Sequence, residues 1–160
     1  MSAESAALSL EEPKSHRAII WGGLLAGILD ITSAFINGGL RGRSPMWVLQ
    51  SVAGGLLGSD SFKGGLRTAA LGAVLHFTIA TVVCSVYYLT SRRFEILVRR
   101  AVLCGLLYGV AVYFFMYGIV LPLTFHRGFF SPLSAVITGL VIHMLCVGLP
   151  ISHVVRRYSN

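Results

Sequence analysis

Charged side chains are scarce in this sequence. Of its 160 residues only 12% are charged, with 6 acids against 13 Lys and Arg, and the mean hydropathy is +0.77. Soluble domains carry about 25% charged residues, so this composition excludes an ordinary soluble domain and indicates a membrane protein. The net charge of +7 comes from clusters beside apolar stretches, without a basic groove or stacking platform, so no nucleic-acid partner is predicted.

Cysteine is also scarce, and its spacing does not suit a metal site or a disulfide framework. The three cysteines, Cys84, Cys104 and Cys146, fall within apolar stretches and form no C-x-x-C pair. This pattern is typical of cysteines that act as small apolar side chains. Catalytic signatures are missing as well, since there is no G-x-S-x-G, H-E-x-x-H or Walker-type loop. The sequence therefore predicts no metal site and no enzymatic activity.

Long uncharged stretches are what the sequence has instead. Residues 68–91, 101–126 and 128–155 contain no Asp, Glu, Lys or Arg, and residues 18–40 contain a single acid, Asp30. Each stretch is long enough for a helix of roughly 20 residues, which crosses about 30 Å of hydrocarbon. The sequence predicts an all-α, integral membrane four-helix bundle whose main partner is the lipid bilayer.

These stretches organise the chain as one membrane domain over residues 18–157. A mobile cytoplasmic tail over 1–17 precedes it, and the acids of this tail make it a poor start for a signal peptide. Pro122 is predicted to end the third span, and Ser131-Pro132 to open the fourth as a cap followed by proline. The predicted spans cover residues 18–37, 66–89, 101–121 and 132–155.

A fifth uncharged window, SPMWVLQSVAGGLLG, is too short to span a bilayer. Ser44 suits a helix cap, Pro45 the first helical position and Gly58 the end, which predicts a helix over 45–57. Its polar face, which includes Gln50, carries no charge, unlike a surface-lying amphipathic helix. This pattern favours a short helix in the outer leaflet between spans one and two, either re-entrant or lying along the bundle. A simple interfacial helix is the alternative.

Lys and Arg are distributed unequally about the predicted spans. Eight lie on the side of both termini and of the loop between spans two and three, and five lie on the opposite side. The positive-inside rule then places both termini in the cytoplasm. The eight are Lys14, Arg17, Arg92, Arg93, Arg99, Arg100, Arg156 and Arg157, and the five are Arg41, Arg43, Lys63, Arg67 and Arg127.

Asp30, His76 and His143 are ionisable residues within predicted spans. A carboxylate at mid-bilayer costs about 2.5–3.5 kcal/mol on insertion scales, so Asp30 is expected to face the bundle interior or a wet cavity. Counted from the outer ends of their spans at about 1.5 Å per residue, the three residues lie within roughly 3 Å of one depth. The sequence therefore predicts a buried polar cluster of these three side chains.

Small and polar residues share helix faces with these three. Small residues let a second backbone approach closely, and polar residues at such positions bond across helices. Helix packing is predicted at Gly23, Gly27, Gly72 and Gly139, and supporting polar groups are predicted at Ser33, Asn37, Gln50 and Tyr113.

Three functions are compatible with this cluster. A buried Asp–His pair with a second His suits proton relay or ion coordination, and so passage of a small solute, ion or proton through a homo-oligomer. Alternatively, Asp30 bonds His76 or Ser33 only to hold helices in register, as in a structural or accessory subunit that joins another membrane protein. A third possibility is an electron carrier with haem b held by His76 and His143; no other cofactor is predicted.

Four segments carry a resemblance: GGLLAGILDI, SPMWVLQSVAGGLLG, YGIVLPLT and HMLCVGLPI. Together they resemble a group of small bacterial inner-membrane proteins of four spans, over most of residues 20–152. The resemblance implies a bacterial inner-membrane location and a four-span architecture, and it implies no particular activity. It also implies that Asp30, Gln50, His143 and Pro150 belong to shared motifs.

Overall fold

Helices make up the described part of the chain. The computed structural model describes residues 3–121 and 132–159, with side chains from residue 16 onward, and these residues form no strand. Four helices within them are long and apolar enough to cross a membrane: His16–Leu40, Gly65–Ser91, Ala101–Val120 and Leu133–Ser159. The prediction of an all-α membrane bundle with four spans is confirmed, and the chain is a multi-pass membrane protein.

The helices follow the chain in the order of the predicted spans. The elements are α1 Ala3–Leu40, α2 Pro45–Leu57, a 3-10 turn Gly58–Lys63, α3 Gly65–Ser91, α4 Ile96–Arg99, α5 Ala101–Phe115, α6 Leu133–Ile142 and α7 Leu149–Ser159. Helix α5 continues into a π-helical segment, Met116–Val120, and a second π-helical segment, His143–Gly148, joins α6 to α7.

Three predicted boundaries differ from the structure or lie outside it. Helix α1 begins at Ala3 and so includes most of the segment over 1–17 that the sequence assigns to a tail. Pro122 and Ser131, predicted to end the third span and to cap the fourth, lie outside the described residues. Pro132 directly precedes α6, which begins one residue later.

Helix α2 begins and ends as its local sequence predicts. The Ser44 hydroxyl oxygen accepts a hydrogen bond from the Trp47 backbone N–H at 3.1 Å, and Pro45 takes the first helical position. At the other end Gly58 has a φ of 58°, a left-handed conformation that glycine adopts at least cost.

Helix α2 packs against α3 and lies beside the end of α1. Gly72 of α3 lies against the Leu49 carbonyl so closely that a Cβ on Gly72 would overlap this oxygen. Gln50 is 4% exposed, and its Nε2 donates to the Gly65 carbonyl at 3.1 Å and to the Thr68 hydroxyl at 3.3 Å. The close backbones and the buried amide together hold α2 on the first turns of α3.

The bundle is densely packed at the end that carries residue 18 and the last turns of α7. Tyr87 is buried there and Tyr108 is half-buried, and both hydroxyls have partners: that of Tyr87 donates to the Leu97 carbonyl at 3.0 Å, and that of Tyr108 donates to the Val83 carbonyl at 2.7 Å. The buried cluster of this end consists of Ala18, Ala26, Cys84, Tyr87, Tyr88, Val112, Val147, Ile151 and Val155.

Candidate functional site

A cavity of about 680 Å³ lies inside the bundle at the end that carries α2. All four spans and α2 contribute to its wall. Val112 and Val147 belong both to this wall and to the buried cluster, so the cavity ends where the dense packing begins. The polar, charged and ring N–H side chains on the wall are Asp30, Asn37, Arg41, Arg43, Trp47, Ser51, His76, Tyr113, Tyr117 and His143.

The three ionisable residues predicted to cluster all line this cavity. Asp30 comes from the first span, His76 from the second and His143 from the fourth, and each is half-buried. Within the described residues no hydrogen bond or ion pair joins any two of them. The three side chains therefore share one cavity, with no direct bond between them in the part of the chain that the structure describes.

His76 is held by the first span. Its Nε2–H donates to the Gly27 carbonyl at 2.9 Å, because a carbonyl oxygen can only accept. This bond sets the tautomer of the neutral ring and leaves Nδ1 as an acceptor that bonds to none of the described residues. His76 therefore ties the second span to the first and keeps one basic nitrogen available.

His143 lies against two tyrosine rings of the third span. Its Nδ1–H donates to the Gly139 carbonyl of its own helix at 2.9 Å, which leaves Nε2 as the bare acceptor. The His143 ring centroid is 5.4 Å from that of Tyr113 and 5.9 Å from that of Tyr117, both edge-on. The two tyrosine rings stack on each other at 4.6 Å, so they form a rigid wall beside the imidazole.

Asp30 supplies the carboxyl group of the cavity wall. Its side chain has no hydrogen-bond or ion-pair partner among residues 16–121 and 132–159. Arg41 and Tyr117 line the same cavity as Asp30. A carboxyl without a fixed partner is able to gain and lose a proton without breaking a structural bond.

The predicted supporting residues have different places. Ser33 donates to a carbonyl of its own helix at 2.9 Å and lies 3.3 Å from the Cys146 sulfur, which links the first span to the fourth. Asn37 and Tyr113 line the cavity. Gln50 does not line it, because its amide is bonded to the start of α3.

The four glycines predicted at helix contacts each lie against another helix. Gly23 and Gly27 face α3, and a Cβ on Gly23 would fall 2.8 Å from the Thr81 Cα. Gly72 faces α2, and Gly139 faces the ring of a third-span tyrosine. The absence of a side chain at these positions sets how closely the helices approach.

Three further glycines, at the crossing of the third and fourth spans, were not predicted from the sequence as helix contacts. Gly109 lies under the His143 carbonyl, and a Cβ on Gly148 would fall 2.7 Å from the Gly109 nitrogen. Gly105 lies under the Gly148 carbonyl and Ser152. The G-x-x-x-G spacing of Gly105 and Gly109 is the signal that would have identified this contact.

Two π-helical segments were also not predicted from the sequence, and both border the cavity. Met116–Val120 contributes Tyr117 to the wall, and His143–Gly148 begins at the cavity histidine itself. Such segments insert one residue into a helical turn and are frequent at functional sites. Their position supports a functional assignment for this cavity.

The described residues contain no group of three or more His, Cys, Asp or Glu placed to hold a metal ion. The predicted haem b pair, His76 and His143, lines the cavity from two spans. A ligating histidine donates one ring N–H to a neighbour and binds metal with the other nitrogen, which here is Nδ1 of His76 and Nε2 of His143. Haem binding stays a prediction, and a Soret band in the absorption spectrum of the purified protein is its test.

No family model, no curated protein and no solved structure matches this chain.

Proposed function

We propose that this chain passes protons, alone or together with a small solute or ion, across the bacterial inner membrane as an oligomer. The observation that carries the proposal is the shared cavity, in which an unpartnered carboxyl accompanies two imidazoles that each keep a bare ring nitrogen. Imidazole exchanges protons near neutral pH, and ionisable groups inside spans mark ion and proton pathways. Asp30, His76 and His143 are the proposed proton-carrying groups.

The closed end of the cavity determines how passage takes place. Val112 and Val147 separate the cavity from the opposite end of the bundle, so the described residues of one chain do not form a continuous channel. Passage therefore requires that this packing rearranges, or that a second copy completes the route. At the crossing of the third and fourth spans, Gly109 and Gly148 bring the two backbones together without an intervening side chain.

Asp30→Asn is the variant that tests proton passage. In proteoliposomes loaded with a pH-sensitive dye, a potassium diffusion potential drives protons inward, and we expect wild type to acidify the lumen faster than protein-free liposomes. The amide of Asn cannot release a proton, so the Asp30→Asn rate is expected to fall to that of protein-free liposomes.

Asp60→Asn is the matched control for this experiment. Asp60 lies in the 3-10 turn, its side chain is 75% exposed, and it pairs with Lys63 outside the cavity. Its variant is expected to keep the wild-type rate. Equal rates for wild type and Asp30→Asn, or a wild-type rate no greater than that of empty liposomes, would contradict the proposal.

We also propose that both termini lie in the cytoplasm, on the basis of the excess of Lys and Arg on their side of the membrane. Single cysteines at the exposed positions Ser59 and Ser159 test this in a background with the native cysteines replaced. A membrane-impermeant maleimide applied to intact spheroplasts is expected to label Ser59→Cys and to spare Ser159→Cys until the cells are lysed. The reverse pattern would show the opposite orientation.

A structural or accessory role is the second candidate function. It is favoured by the bonds that the polar residues make, because His76 donates to the first span and Ser33 contacts Cys146 of the fourth. On this proposal the polar groups hold the helices in register while the chain supports another membrane protein. Affinity purification in mild detergent then yields a stoichiometric membrane-protein partner, whereas a homogeneous single species favours proton passage.

A further inference from the structure

Two arginines lie on the cavity wall at the end of the first span. Arg41 and Arg43 follow the last residue of α1, and both line the cavity. The Arg43 guanidinium lies over the Trp47 ring at 4.3 Å from its centroid, and Trp47 in turn stacks on Phe62 at 5.3 Å. The second guanidinium, of Arg41, shares the cavity wall with Tyr117.

These two guanidinium groups have no carboxylate partner. Within the described residues no acid lies at salt-bridge distance from either of them. The sequence offers few acids at all, since residues 31–59 and 96–160 contain neither Asp nor Glu. Asp60, between these segments, is already paired with Lys63 at 2.8 Å. At the rim of the cavity, therefore, two exposed guanidinium groups lie without a salt bridge to any described residue.

Most of the remaining wall is apolar. Below the arginines the lining includes Ile31, Val48, Ile79 and Ile142, which come from the first span, α2, the second span and the fourth span. A guanidinium pair above an apolar wall suits a ligand that has a negative head and a hydrocarbon body. Arg41 and Arg43 are both exposed at the rim, and guanidinium groups bind carboxylate and phosphate oxygens in a bidentate geometry.

We propose that this cavity binds an amphipathic oxyanion, with a carboxylate or phosphate head at Arg41 and Arg43 and a hydrocarbon body against the apolar wall. This inference rests on the proposed function and names the solute that accompanies the proton. Asp30 lies on the wall of the same cavity, so the anion and the proposed proton carrier share one space. The anion is either a free solute or the head of a bilayer lipid.

Trp47 reports on this site, since it contacts Arg43 directly. The sequence contains 2 tryptophans, so Trp21→Phe leaves Trp47 as the single fluorophore. The protein is placed in nanodiscs of zwitterionic phosphatidylcholine and titrated with hexanoate, hexyl phosphate or hexylammonium, which share one hydrocarbon body. A second set of nanodiscs contains phosphatidic acid and no soluble anion. We expect a saturable change in Trp47 emission with the anions and none with hexylammonium.

Arg41→Gln removes one guanidinium and leaves the Arg43–Trp47 contact in place. Loss of one charged hydrogen-bonding group is expected to weaken anion binding about tenfold. Arg67→Gln is the matched control, because Arg67 is exposed near the start of α3 and does not line the cavity. We expect its titrations to match those of the Trp21→Phe parent.

The outcomes separate the two sources of the anion and also separate this inference from proton passage. A response to the soluble anions that depends on Arg41 supports a free solute, and a response confined to phosphatidic acid that depends on Arg41 supports a lipid head. No saturable response, an equal response to hexylammonium, or unchanged binding in Arg41→Gln would overturn the inference. Because binding is measured at equilibrium without a gradient, it can be observed even if Asp30→Asn leaves proton flux unchanged.

Discussion

Gly109→Leu is expected to destabilise the bundle by about 3 kcal/mol or more, because it forces a side chain between two packed backbones. Gly109 lies under the His143 carbonyl, and even a Cβ there would fall 2.6 Å from the Met144 Cα. Rotation of a side chain cannot relieve a clash with backbone atoms, so the third and fourth spans must separate. We expect a large drop in the thermal midpoint in detergent, measured by the loss of the monodisperse peak after heating.

Gly118→Leu is the matched control in the same span. Gly118 is exposed, and a Cβ added to it meets no atom within 4 Å. Leucine at this position adds apolar surface in an environment of lipid, so its effect on the thermal midpoint is expected to be small. Similar midpoints for Gly109→Leu and Gly118→Leu would show that the third and fourth spans do not cross as closely as described.

Gly72→Leu is expected to displace α2 from α3, the second largest effect. A Cβ on Gly72 would overlap the Leu49 carbonyl and lie 3.3 Å from the Ala53 nitrogen, so α2 and α3 meet through their backbones. Displacement also strains the bonds from the Gln50 amide to the start of α3. Cysteine placed at Ala53, which is 0% exposed, is expected to change from protected to reactive toward a water-soluble maleimide.

Gly39→Leu provides the comparison for this experiment. Gly39 is exposed near the end of α1, and a Cβ there meets no atom within 4 Å. The cysteine at position 53 is expected to remain protected in this variant. If Gly72→Leu also leaves this cysteine protected, α2 does not depend on the contact with α3 that we describe.

The spans and the short helix could be predicted because lipid imposes a simple condition on sequence. A segment that crosses hydrocarbon must be long and free of charge, and these properties can be counted directly. The ends of α2 were predictable because Ser44, Pro45 and Gly58 act on the backbone next to them. Local chemistry of this kind needs no knowledge of the neighbouring helices.

The bonds within the site could not be predicted, because they depend on how the helices rotate and cross. Equal depth places Asp30, His76 and His143 at one level, and the structure brings all three to one cavity. The partners of the two histidines are backbone carbonyls, those of Gly27 and Gly139, which no residue pattern identifies. The arginines on the cavity wall were counted in the sequence only as markers of orientation.

The π-helical segment His143–Gly148 has a consequence for any helical wheel drawn over the fourth span. A regular α-helix turns about 100° per residue, and a π turn accommodates one additional residue. Residues after this segment are therefore rotated by about 100° about the helix axis, relative to the positions that a wheel continued from α6 would give them. The fourth span therefore consists of two helical parts, α6 and α7, that are rotated relative to each other about the axis of the span. Residues of α6 and α7 that share a face cannot be identified from one continuous wheel.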